Sequence, residues 1–190
     1  MTEFKLAEKL GEGNFRECFA VEGEPGLCVK RLKPRLGFWR RLNLQVLRPG
    51  MNKEEYDIYH RLPDEMKPYF NPVIEVGDDY LVTGRPLDYD GSHSKPVVAY
   101  GKIAHRGFWQ EIDKILLLFE KYNLWFYDTM KGRNLFVRKL SEDEWVPVIV
   151  DYKRLGWRSY PIQINLMFDS EKKRKCYRYL ERFKKRYKAY

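Results

Sequence analysis

No apolar run in the sequence is long enough to cross a bilayer, and Met1-Thr2-Glu3-Phe4-Lys5 lacks the hydrophobic stretch of a secretory signal. Histidine is scarce: His60, His93 and His105 are too scattered for a metal cluster or a catalytic triad, and each reads as a surface or helix-packing residue. Cysteine is equally scarce. Cys18, Cys28 and Cys176 show neither zinc-type spacing nor a disulfide framework, so a reduced, cytoplasmic protein is expected. No internal repeat is visible. These absences set aside membrane spans, zinc modules, secreted disulfide scaffolds and solenoids.

What is present is a packable chain with unevenly placed charge. At 190 residues, 44% hydrophobic and 16% aromatic, it suits one domain or two small lobes sharing a core. The net charge is +9, yet residues 171–190 alone hold ten Lys or Arg against Glu171 and Glu181. Residues 30–48 hold seven more, Lys30, Arg31, Lys33, Arg35, Arg40, Arg41 and Arg48, and no acid. The remainder is therefore mildly acidic. Two readings stand: a polyanionic partner at 30–48 and 171–190, such as a phosphorylated ligand, anionic lipid or nucleic acid, or two solvated faces. Phe38-Trp39-Arg40-Arg41, with Leu42, Leu44 and Leu47 nearby, mixes aromatic and basic residues as membrane-surface segments do, although the same spacing fits packing under a helix.

Strands come first along the chain and helices later. Phe4–Leu10, Cys18–Val21 and Leu27–Lys30 read as short strands between Gly- and Pro-containing turns. Asn52 is the expected cap of a helix running to Leu62 and stopped by Pro63. Val73–Val76 and Tyr80–Thr83 read as a hairpin, and Arg85–Pro96 as a polar loop. Ile112, Ile115, Leu116 and Phe119 recur at helical spacing between Phe108 and Tyr122. Leu135–Val137 and Val148–Val150 form a second hairpin. A last helix runs from about Ser170 to Lys188, with Cys176, Leu180, Phe183 and Tyr187 on its apolar stripe.

Three motifs carry chemistry. Gly11-Glu12-Gly13-Asn14-Phe15-Arg16 lies between two strands, and its glycines let backbone amides approach phosphate oxygens. A dinucleotide-binding turn would lead into a helix; this one leads into a strand, the kinase arrangement. Arg16 stands where a third glycine is expected, which stiffens the loop or places a cation over phosphates. Next, Lys30 closes the apolar strand Cys28-Val29-Lys30, the place of a lysine that holds α- and β-phosphates. Its expected partner is Glu55, which shares a helix face with Ile58, Tyr59 and Leu62, with Glu54 as fallback. Third, Asn134 before one strand and Asp151 after the next offer two oxygen ligands for magnesium. The kinase loop H-R-D-x-x-x-x-N fixes the interval between its catalytic Asp and that Asn. Counting back from Asn134 lands on Thr129, with Asp128 one residue too early, and Lys131 matches a lysine that contacts the transferred phosphate. Arg85-Pro86-Leu87 is expected to be the hinge that receives an adenine ring.

The runs G-E-G-N-F-R-E-C-F-A with C-V-K, K-E-E-Y-D-I-Y-H-R-L, and M-K-G-R-N-L-F followed by S-E-D-E-W-V-P-V-I-V-D resemble the bacterial YrbL-type (PhoP regulatory network) proteins, small members of the protein-kinase-like superfamily. The resemblance spans roughly residues 5–156. It implies a compact kinase-like fold, nucleotide binding and a cytoplasmic bacterial setting. The expected fold is thus α+β, a small atypical protein-kinase-like two-lobed architecture. An N-terminal lobe of antiparallel sheet plus one helix takes residues 1–84, and an abbreviated helical C-terminal lobe takes 85–190. Expected cofactors are ATP and Mg2+, with Gly11, Gly13, Lys30 and Glu55 on the nucleotide, Asn134 and Asp151 on the metal, and Asp128, Thr129 and Lys131 at the reacting end.

The chain departs from an active kinase at several points. Thr129 offers no carboxylate base, Asp151 is followed by Tyr152-Lys153, and no A-P-E-like segment follows. Two main functions stay open: a phosphotransferase acting on an unknown hydroxyl acceptor (small molecule, glycan or protein), and a pseudokinase acting as a regulatory module. A polyanion or membrane-surface binder is a third.

Overall fold

Strand alternation organises the first half of the molecule. A computed structural model describes residues 4–39, 42, 50–127, 129–154 and 164–190. These fall into two units, Met1–Leu62 with Pro72–Arg85, and Pro63–Asn71 with Pro86–Tyr190. The first unit is a five-stranded antiparallel sheet, β1 (Leu6–Glu12), β2 (Arg16–Val21), β3 (Glu24–Leu32), β4 (Val73–Val76) and β5 (Tyr80–Gly84), in the order β1-β2-β3-β5-β4. Successive side chains point to opposite faces. Val29 and Val82, paired across β3 and β5, join Val21 in a buried cluster covered by Phe4, Leu6, Leu27 and Tyr80. Cys28 and Lys30 therefore face the other side, where Lys30 stands opposite Cys18.

The strands run longer than expected because hairpin pairing carries β1 to Glu12 and β3 back to Glu24. Gly11 consequently lies inside β1, paired with Cys18, and the turn proper begins at Gly13. Helix α1 (Met51–His60) also departs from expectation at its start. Gly50 caps it with φ 69°, a left-handed conformation natural to glycine. Asn52 is buried at 4% exposure, and its side-chain carbonyl accepts a bond from Arg16. It does not cap the helix.

In the second unit the two long helices are α2 (Arg106–Lys121) and α3 (Asp169–Tyr187). Helix α2 begins ahead of Phe108 because His105 caps it: Nδ1 accepts from the Phe108 amide at 3.1 Å, while the ring stacks on Trp145 at 4.8 Å. Phe108, Trp109, Ile112, Ile115, Leu116 and Phe119 are buried along α2, and Cys176, Leu180, Phe183 and Tyr187 along α3. Trp109 and Phe183 meet at 5.7 Å between ring centroids. Part of the terminal basic charge is taken up here, with Lys184 at 2.6 Å from Asp113 and Lys173 at 2.7 Å from Glu120. Among the described residues no helix is long and apolar enough to cross a membrane.

The strands of this unit are short. β8 (Leu135–Lys139) pairs with β9 (Trp145–Ile149) and with the two-residue β6 (Lys95–Pro96), while β7 (Phe126–Tyr127) pairs with β10 (Lys153–Arg154). β6 lies in what reads as a polar loop, an edge position that tolerates Pro96. Residues 129–134 form the loop from β7 to β8. Its Gly132 packs against Tyr187: a Cβ there would stand 2.7 Å from the ring. Tyr187 is buried and packed on Phe183 at 5.1 Å, so it has little room to yield. Gly132→Ala is therefore expected to cost about 1–3 kcal/mol of stability by overpacking. Gly132→Ala with Tyr187→Leu should recover part of that loss in urea denaturation. Equal midpoints for wild type and Gly132→Ala would refute this contact.

Candidate functional site

In the first unit the site grows from one carboxylate. Glu55, on the inward face of α1, is 3% exposed, a position where a charge needs partners. Lys30 from β3 donates to Oε1 at 2.6 Å, and Arg16 from the start of β2 donates to Oε2 at 2.6 Å. Arg16 also donates to Asn52 Oδ1 at 3.3 Å. The guanidinium thus lies on the helix, neither stiffening the turn alone nor standing free over it. Asn52 Nδ2 is a buried donor with no hydrogen-bond partner among the described residues, a defect that costs about 1–3 kcal/mol. The neighbouring Glu54 is exposed.

Two thiols share this face of the sheet. Cys18 lies opposite Lys30, and Cys28 opposite Ala20 two residues along. The Cys18 thiol's hydrogen bond holds Cys28 below the usual cysteine range against the effect of burial, helped by the Thr83 hydroxyl and Lys30. The same bond, with burial, pushes Cys18 up. Sulfur spacing along the sequence does not show this pair, because the contact depends on strand register.

In the second unit the register Leu135↔Ile149 continues through Val150, whose amide donates to Asn134 O at 2.9 Å. Asn134 and Asp151 are thereby brought to one end of a single hairpin. The Asn134 amide closes a tight turn onto Lys131 O at 2.8 Å. Lys131 itself is exposed. Asp151 is half-buried, with Lys153 Nζ at 3.9 Å from Oδ2. Behind it Tyr152 is 1% exposed; its hydroxyl donates to Asn71 O at 3.0 Å and its ring meets Phe70 at 5.0 Å. Tyr152 is the anchor that motif counting passed over, though an aromatic directly after the metal-type Asp was the available signal.

Thr129 is 2% exposed and lines a small apolar cavity with Leu116, Phe119, Phe126, Met130 and Cys176. Asp128 lies outside the described residues. Around Arg85-Pro86-Leu87, the Arg85 amide donates to Gly26 O at 2.6 Å, and the boundary between the two units falls just after Arg85. Among the described residues no three His, Cys, Asp or Glu side chains gather as a metal cluster. Asn134 and Asp151, at one end of the hairpin, carry the amide and carboxylate oxygens of the kind magnesium takes while keeping several waters.

With this geometry in view, the fold has a counterpart among solved structures. The crystal structure of the Rio2 kinase from Chaetomium thermophilum matches with a TM-score of 0.62 at 13% sequence identity, covering 97% of this chain and 58% of that one. The chain has an abbreviated two-lobed, kinase-like α+β fold. At that identity the likeness speaks for the fold alone. No family model and no curated protein matches the chain.

Truncating a buried carboxylate shared by two cations is costly. Glu55→Ala is expected to lose about 3–5 kcal/mol of folding stability. Glu54→Ala, on the exposed side of the same helix, should stay within about 0.5 kcal/mol of wild type. Chemical denaturation of the two variants side by side decides this, and equal losses would place the partner of Lys30 elsewhere.

Proposed function

We propose that the chain binds ATP with magnesium and transfers phosphate slowly to a hydroxyl acceptor on a small molecule, glycan or protein. The observation that carries this reading is the Glu55 carboxylate 2.6 Å from the ammonium of Lys30 on β3, the strand paired with the one that follows the glycine turn. In kinase-like proteins that pair keeps the lysine aimed at the nucleotide phosphates. Gly11 and Gly13 present a backbone free of side chains, and Asn134 with Asp151 would hold the metal. Bound magnesium supplies neutralisation of phosphate charge. Phosphoryl transfer depends mainly on positioning and charge, so a weakened base slows it without abolishing it. Losing a general base costs roughly 10²–10⁴-fold. Asp128 is the carboxylate assigned to the acceptor hydroxyl, with Lys131 on the transferred phosphate. The order of motifs supports the finer placement among YrbL-type proteins of the bacterial cytoplasm.

The burial of Thr129 favours a second reading, a pseudokinase that binds nucleotide without turnover. Calorimetric titration with ATP, with and without magnesium, beside a turnover assay with sugar, glycan and protein acceptors, separates the two. Magnesium-dependent binding is expected, with turnover abolished by Asp151→Ala and slowed roughly 10²–10⁴-fold by Asp128→Ala. Binding without turnover on every acceptor selects the pseudokinase. Absence of binding overturns both.

A further inference from the structure

Arg16 occupies the position where a third glycine would leave the loop unconstrained, and its two halves do different things. Its backbone carbonyl accepts from the Gly13 amide at 2.8 Å, closing the glycine turn. Its guanidinium reaches α1, 2.6 Å from Glu55 and 3.3 Å from Asn52. One residue therefore joins the turn to the helix. Packing does not do this work: a Cβ at Gly11 would meet nothing within 4 Å, and one at Gly13 only Arg16 O at 3.8 Å.

Stability alone does not account for the arrangement. Asn52 is buried and its Nδ2 has no partner among the described residues, so an apolar residue of similar size would avoid that defect. What asparagine adds is Oδ1, the second acceptor that orients the planar guanidinium. With Arg16 held on Oε2, Oε1 of the same carboxylate is turned to Lys30. We infer that Arg16 is a positioning residue for the phosphate end of a nucleotide, latching the glycine turn to α1 and presenting Glu55 to Lys30. This rests on the nucleotide-binding reading above and names the part of the ligand that Arg16 controls: the phosphates, not the base.

Arg16→Gly restores the third glycine and gives the decisive comparison. Affinities for ATP, ADP and adenosine are measured for wild type, Arg16→Gly, Arg16→Lys and Asn52→Leu, each checked for folding by circular dichroism and melting. Arg16→Gly is expected to weaken ATP and ADP binding by roughly 10- to 100-fold, the worth of one charge-assisted contact, and to leave adenosine binding unchanged. Arg16→Lys should recover part of the loss, since an ammonium reaches Glu55 but does not span Glu55 and Asn52 together. Asn52→Leu should show a smaller loss of the same kind with an unchanged or higher melting temperature. Equal losses for adenosine, or ATP binding that is unchanged or tighter in Arg16→Gly, would overturn the inference. A wild type that binds no nucleotide defeats the nucleotide reading instead. In that case amide hydrogen exchange judges the latch: residues 13–16 and α1 should exchange faster together in Arg16→Gly, and unaltered exchange there sinks it.

Discussion

The carboxylate of Glu55 is the point on which the first unit turns. A charge at 3% exposure must be paired, and this one is paired twice, so β2, β3 and α1 meet on a single side chain. The apolar cluster of Val21, Val29 and Val82 lies on the opposite face of the sheet. That cluster holds the strands together, but apolar burial is non-directional and tolerates small slides. Charge-assisted bonds at 2.6 Å do not. One face of the sheet therefore provides cohesion and the other provides orientation, and Lys30 stands on the face where orientation is fixed.

The second unit reaches a comparable rigidity by other means. Its metal-type pair depends on backbone pairing between β8 and β9, extended one step by Val150 to Asn134. Tyr152 then fixes the chain just after Asp151 through a buried ring and a bond to Asn71 O. On the far side, the loop before Asn134 is backed by Tyr187, close enough that a Cβ at position 132 would press on its ring. The basic terminal helix is thus a structural support for that loop as well as a carrier of charge. Its apolar stripe and its ion pairs to α2 explain why so many cations coexist with a folded helix.

Features with a local period were readable along the chain. The stripes of α2 and α3 follow helical spacing, the Val73–Tyr80 hairpin follows its turn, and Glu55 shares a face with Ile58 and Leu62, so its pairing with Lys30 could be anticipated. Features that depend on register or on distant partners were not. β6, β7 and β10 are two-residue strands with no pattern of their own, and Cys18 meets Cys28 only through the pairing of β2 with β3. Asn52 has the chemistry of a helix cap, but Gly50 already begins the helix and Arg16 takes the side-chain carbonyl. Arg16 itself was ambiguous for a simple reason: a turn residue has no periodic reference to say which way its side chain points.

Positions 30 and 55 on one side and position 129 on the other sit in opposite kinds of surroundings. Lys30 and Glu55 are held by a buried, charge-assisted bond that fixes the direction of the lysine ammonium. Position 129 is the reverse. At 2% exposure, Thr129 shares a small cavity with Leu116, Phe119, Phe126, Met130, Cys176 and Tyr179, a setting in which a carboxylate without charged partners would be costly. Threonine is a residue such a setting can bury, with a small apolar methyl and only one hydroxyl to satisfy. The environment, more than the loop's spacing, argues against a base at that position. The sequence does supply a carboxylate next to it, at Asp128.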